Sequence, residues 1–205
     1  LLPFRQYDEQ DVVNMFALPA ADALADTTVD GKASNGVFVK VTAGDLNAEP
    51  VAYTTNSYLG KNDHPFLGGA DMYPANTRLL IDACGSGEAP LGLTLNQTAK
   101  ADENGEKLIY NTTKKEELQA VLPGQTVPVA TKGIFTLSAN AIESSAGALV
   151  VGQGFEVAAA DGSIGPVADP LSTGSLGLVL ATGSRASSGG LTDQFAGNYV
   201  VVKLG

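Results

Sequence analysis

From residue 36 onward the chain keeps returning to short apolar runs separated by glycine-rich turns, and this rhythm limits the fold more than any other feature. Such runs are too short for ordinary helices and suit strands. Residues 36–41 alternate, with Val37, Val39 and Val41 on one face and Phe38 and Lys40 on the other. Further strand-like runs fall at 49–53, 77–84, 91–99, 106–111, 125–131, 133–138, 148–158, 163–168, 174–182 and 198–204. Asn104-Gly105 sits between two of them and predicts a tight hairpin, since both residues tolerate positive φ. One helix is expected. Thr113 and Glu116 have capping-box spacing, Leu118, Val121 and Leu122 form an apolar stripe, and Pro123 ends it. Strand after strand with one short helix predicts an all-β domain of barrel or sandwich type rather than a βαβ arrangement. No strict repeat and no heptad run is present.

The first 18 residues differ from the rest. Leu1, Leu2, Phe4, Tyr7, Val12, Val13, Met15, Phe16 and Leu18 crowd apolar area into a terminal segment, with Arg5 among them. Asp8 and Asp11 suit the cap of a short helical turn on which Val12, Val13 and Phe16 share a face. A terminus this apolar has to dock, either on its own core or, as an extended arm, on a neighbouring subunit. Residues 19–35 are small and polar, a linker composition. The expected organisation is an arm and linker over 1–35 and a β-barrel-like domain over 36–205. Residues 55–76 make a long Gly-, Asn- and Pro-rich loop, and 183–194 a flexible hairpin tip.

At 205 residues the chain is long enough for a real core without disulfides, and its one cysteine, Cys84, lies in an apolar run that reads as packing. The net charge of −10 argues against nucleic acid and anionic membranes, which need a basic footprint. The longest apolar runs fall well short of a membrane span, and no signal peptide is expected.

Catalytic signatures are sparse. The one histidine, His64, stands among loop formers with no nucleophile elbow nearby, and one His with one Cys cannot complete a usual zinc site. Residues 102–106 contain acidic oxygens but lack the spacing of a calcium loop, so a hairpin turn explains them. A carboxylate-pair hydrolase or carbohydrate-binding module stays open as an alternative. The absence of Trp supplies little for sugar stacking. No enzyme activity, metal or cofactor is expected.

Two stretches, residues 1–18 (LLPFRQYDEQDVVNMFAL) and residues 91–137 (LGLTLNQTAKADENGEKLIYNTTKKEELQAVLPGQTVPVATKGIFTL), resemble the head decoration or cement proteins of tailed bacteriophages. The resemblance implies a β-barrel module on the outer surface of the virion capsid, assembled as a homotrimer and bound to the major capsid protein. Its role would be to tie neighbouring capsomers together. A tail or fibre component is the alternative within a virion. The arm residues Leu1, Leu2, Phe4, Arg5, Tyr7, Val12, Val13, Met15, Phe16 and Leu18 are then the candidate partner-binding set.

Overall fold

Alternation along the strands becomes two antiparallel sheets that share a core. The computed structural model describes residues 1–18, 35–44, 79–99, 101–102, 104–122, 124–143, 147–167, 169, 171–186 and 196–205. In chain order the strands are β1 (Arg5–Gln6), β2 (Val12–Val13), β3 (Phe38–Ala43), β4 (Leu80–Ala83), β5 (Gly92–Thr94), β6 (Gln97–Thr98), β7 (Ala120–Val121), β8 (Val129–Ala130), β9 (Gly133–Ser138), β10 (Gly154–Val157), β11 (Ile164–Val167), β12 (Gly177–Arg185) and β13 (Gly197–Leu204), with helix α1 at Thr112–Glu117. The first sheet runs β1-β9-β13-β12-β10-β11 and the second β2-β8-β5-β3-β4. A parallel β6-β7 pair stands apart.

The all-β expectation holds, in sandwich form: neither sheet closes into a barrel. The period of two explains the packing. Val200, Val202 and Leu204 of β13 point into the shared core while Tyr199, Val201 and Lys203 point away. Phe135, Leu137, Phe155 and Val179 from the first sheet meet Phe38, Leu93 and Ala130 from the second. The Phe38 and Phe155 rings sit 6.1 Å apart at 56°, a tilted aromatic contact. The middle of the second sheet is buried on both faces. Its other side carries Val39, Ile81, Ala83 and Val129, covered by Leu18, Val121 and Val127. A third, smaller cluster gathers Ala99, Leu108, Ile109, Ala120 and Leu122.

Three local expectations change. The helix cap is Asn111, whose side chain accepts from the Lys114 N–H at 3.1 Å, rather than Thr113. The helix stops at Glu117, and the apolar stripe splits: Leu118 and Leu122 join the third cluster, Val121 the second. The reason is Gln119, held at φ 50, which turns the chain so that β7 can pair with β6. Residues 106–111 form turns instead of a strand beyond an isolated bridge from Lys107 to Ala101: Tyr110 N–H donates to Lys107 O at 3.2 Å and Asn111 N–H to Leu108 O at 3.1 Å.

Gln119 is the one non-glycine residue with positive φ among the described residues. Replacing it with glycine is expected to stabilise the fold by about 1 kcal/mol, because glycine escapes the left-handed steric cost. A urea titration with an unchanged m-value would show it.

The N-terminal segment is the larger correction. Asp8 caps a short 3-10 turn as expected, its carboxylate accepting from Gln10 N–H at 3.0 Å. Val12 and Val13 then enter a strand, so they do not share a helical face with Phe16. Residues 1–18 supply the edge strands of both sheets, β1 on β9 and β2 on β8. They belong to the domain rather than to an extended arm, and the expected boundary at residue 36 cuts through both sheets. The expected strand at 49–53, the 55–76 loop with His64, most of the 19–35 linker and most of the 183–194 tip lie outside the described residues.

Candidate functional site: an apolar groove beside the N-terminal segment

The groove starts from how Leu2-Pro3-Phe4 is pinned. Leu2 N–H donates to Thr136 O at 2.7 Å and Thr136 N–H to Phe4 O at 3.1 Å. Pro3, which has no N–H, falls between these two anchor residues and interrupts neither bond. Arg5 and Gln6 then continue in register with Phe135 and Ile134. The segment is therefore laid along β9 by its main chain, which leaves side chains free to face outward.

On the outward face of the first sheet, Thr136, Tyr199 and Val201 alternate with the core residues of β9 and β13. Together with Leu2, Pro3, Phe4, Ser184 and Arg185 they line an open groove of about 410 Å³. The Tyr199 ring lies across Gly183, where an added Cβ would come within 2.5 Å of the tyrosine oxygen. Glycine is what lets the ring lie flat on β12. Phe4 is 72 % exposed at the groove rim, an unusual position for a phenylalanine held by backbone bonds.

The ten candidate residues therefore divide. Leu18 is fully buried in the second cluster and Phe16 packs against it. Leu1, Tyr7 and Val12 pack against the shared core, Tyr7 stacking on Phe135 at 5.9 Å. Val13 is half-buried, and Arg5 is exposed with its guanidinium over the Tyr7 ring. Met15 is exposed. Only Leu2 and Phe4 reach the groove. Sequence reasoning missed Thr136, Ser184, Arg185, Tyr199 and Val201. Lys203 marks the outward parity that Tyr199 and Val201 share, but nothing local signals their meeting with Leu2 and Phe4.

A second exposed apolar feature is the turn at Val150–Gln153. Gln153 N–H donates to Val150 O at 3.1 Å, Gly152 takes φ 83, and Val150 and Val151 stand exposed at its tip. Bonds from Gly152 N–H to Val179 O (2.8 Å) and from Val179 N–H to Gln153 O (2.9 Å) fasten this turn to β12, beside exposed Leu180. A separate polar cleft of about 310 Å³ is lined by Asn96, Lys115, Glu116, Gln119, Gln125 and Thr126, among others.

Three titratable groups with shifted pKa, Lys40, Cys84 and Glu88, lie together. Lys40 Nζ donates to Glu88 Oε1 at 2.6 Å, and Gly85 N–H donates to Glu88 Oε2 at 2.6 Å. The lysine bond first, then the Gly85 amide, hold the Glu88 carboxyl below the ordinary range; the same bond raises Lys40. Burial pushes the Cys84 thiol up, and the side chain packs in the shared core. A carboxyl with a lowered folded pKa lends stability above its ordinary range and loses it as pH falls through the lowered value. Lys40→Gln is expected to move the Glu88 midpoint back toward ordinary, with part of the lowering retained through Gly85. An NMR titration of the carboxyl carbon measures it.

Asp102, buried in its turn, accepts from the N–H groups of Asn104 (2.9 Å) and Glu106 (2.8 Å). That is turn chemistry, as the hairpin reading expected. Among the described residues no group of three or more His, Cys, Asp or Glu could hold a metal, and no helix is long and apolar enough to cross a membrane. No protein-family model matches the chain, and neither a curated protein nor a solved structure matches it.

Proposed function

We propose that this chain is a non-catalytic structural protein of a tailed-phage virion that binds the outer surface of the head and ties neighbouring capsomers together. The observation that carries the reading is Phe4, an exposed aromatic on a main-chain-pinned segment at the rim of an apolar groove. Exposed aromatics on rigid supports are the residue type that dominates protein–protein contacts. The resemblance of residues 1–18 and 91–137 to decoration proteins supplies the kind of partner, the major capsid protein, and assembly as a homotrimer. An acidic surface would keep such a protein soluble between particles.

Heads assembled from the cognate major capsid protein, sedimented with the purified chain, test this. Wild type is expected to bind at a fixed ratio and in hundreds of copies per particle. Phe4→Ala is expected to weaken binding by about tenfold or more. Full binding by Phe4→Ala would remove the groove from the contact, and failure of wild type to bind any head would remove the capsid reading.

A carbohydrate-binding β-domain is the second reading, favoured by the amide-lined polar cleft around Gln119. Neutral oligosaccharide titration, read at the side-chain amides of Asn96, Gln119 and Gln125, separates the two.

A further inference from the structure

The chain contains two Asn-Gly pairs, Asn35-Gly36 and Asn104-Gly105, and the fold places them in opposite environments. Glycine after asparagine offers an unhindered amide nitrogen, so this dipeptide is where spontaneous closure to a succinimide is sterically easiest. Whether closure happens in a folded protein depends on how firmly that nitrogen and its backbone are held.

At Asn35-Gly36 they are held on every side. Gly36 is buried, its N–H donating to Thr94 O at 2.8 Å and lying 3.2 Å from Thr94 Oγ1. A Cβ added there would meet Leu1 N at 3.1 Å. The Asn35 carbonyl in turn accepts from the Leu1 amine at 2.9 Å. Rotating this backbone into an attack geometry requires opening the junction between Leu1 and β5.

At Asn104-Gly105 the restraint is a single small turn. Both residues are exposed, Gly105 has φ 82, and nothing lies within 4 Å of a Cβ added to it. The Gly105 N–H donates only across the turn, to Asp102 O at 3.0 Å, and the neighbouring N–H groups share Asp102 Oδ1. Local opening of this turn frees the nitrogen without disturbing any sheet.

We infer that Asn104 is a site of spontaneous deamidation in the folded protein and that the fold shields Asn35 from the same reaction. The Gly105 nitrogen attacks Asn104 Cγ, forming a C–N bond as the Cγ–Nδ2 bond breaks. The proton from the Gly105 nitrogen departs with the leaving ammonia. Water then opens the succinimide at either carbonyl, giving aspartate or isoaspartate. The product places a new negative charge beside Asp102 and Glu106, and the isoaspartyl form adds a backbone carbon that the Asp102 turn cannot accommodate unchanged.

Trypsin separates the two pairs, since Lys100 and Lys107 bound one and Lys32 and Lys40 the other. The native full chain and the urea-unfolded chain are incubated side by side at mildly alkaline pH, digested, and both peptides are followed by mass spectrometry with isoaspartate detection. In the native chain the 101–107 peptide is expected to deamidate at least about tenfold faster than the 33–40 peptide, the factor set by the extra hydrogen bonding and burial at Gly36. Unfolding should bring the two rates together. Equal rates in the native chain, faster reaction at Asn35, or a native 101–107 peptide that stays intact while the unfolded one reacts would each overturn the inference.

Discussion

A chain lacking residues 1–18 is expected to lose cooperative folding altogether. The segment fills an edge of each sheet, β1 against β9 and β2 against β8. It also stitches distant parts of the chain. Ala17 N–H donates to Leu79 O and Ala17 O accepts from Ile81 N–H, while Phe16 O and Leu18 O accept from Val127 and Gly124. Asp11 O accepts from both the N–H and the hydroxyl of Thr131. Leu18 is fully buried, worth about 2–3 kcal/mol of transfer free energy, and each main-chain bond adds about 1 kcal/mol. With the packing of Tyr7 on Phe135, the loss approaches about 10 kcal/mol, comparable with the whole stability of an ordinary domain. Residues 19–205 should show no cooperative transition in urea, expose apolar surface to a dye, and fail to refold. A truncated chain with a native-like transition would mean that the segment is accessory. For the same reason Phe4→Ala, which removes one exposed ring, tests surface binding where deletion cannot.

The second large effect is expected at Gly92. This residue lies in the middle strand of the second sheet, opposite Val39. An added Cβ would fall 2.2 Å from Ala130 O and 2.9 Å from Val129 Cγ1. Because the first obstacle is backbone, relief requires moving β8 relative to β5, and both faces of that sheet are already packed. Gly92→Ala should cost about 3 kcal/mol or more. Gly105→Ala makes the contrast. Its φ of 82 strains any side chain, but no atom lies within 4 Å, so the cost should stay near 1 kcal/mol. Paired urea titrations measure both. Similar losses at the two positions would show that β8 yields and relieves the collision at Gly92.

The strands were legible because their chemistry is local. Residues 133–138 and 198–204 are short runs rich in β-branched and aromatic residues, and β9 and β13 occupy those positions within a residue. The Asp102–Glu106 turn was legible for the same reason, as Asn-Gly and an aspartate two residues upstream satisfy one another without distant help. The helix was half legible. Its location is local, but its end is decided by β7 pairing with β6 more than twenty positions earlier.

The apolar character of residues 1–18 was plain in the sequence, and so was its need to dock. What the sequence determined by itself is the all-β class, because a period of two is written residue by residue. Where the N-terminal segment docks is a question of which edges remain open once the other strands have paired. Only the tertiary structure decides that, and its answer sends Leu18, Phe16, Val12 and Tyr7 inward and leaves Phe4 at the rim of a groove. Partners such as Thr136 and Tyr199 lie more than a hundred positions away in the chain, and only pairing across the sheet brings them to Leu2 and Phe4.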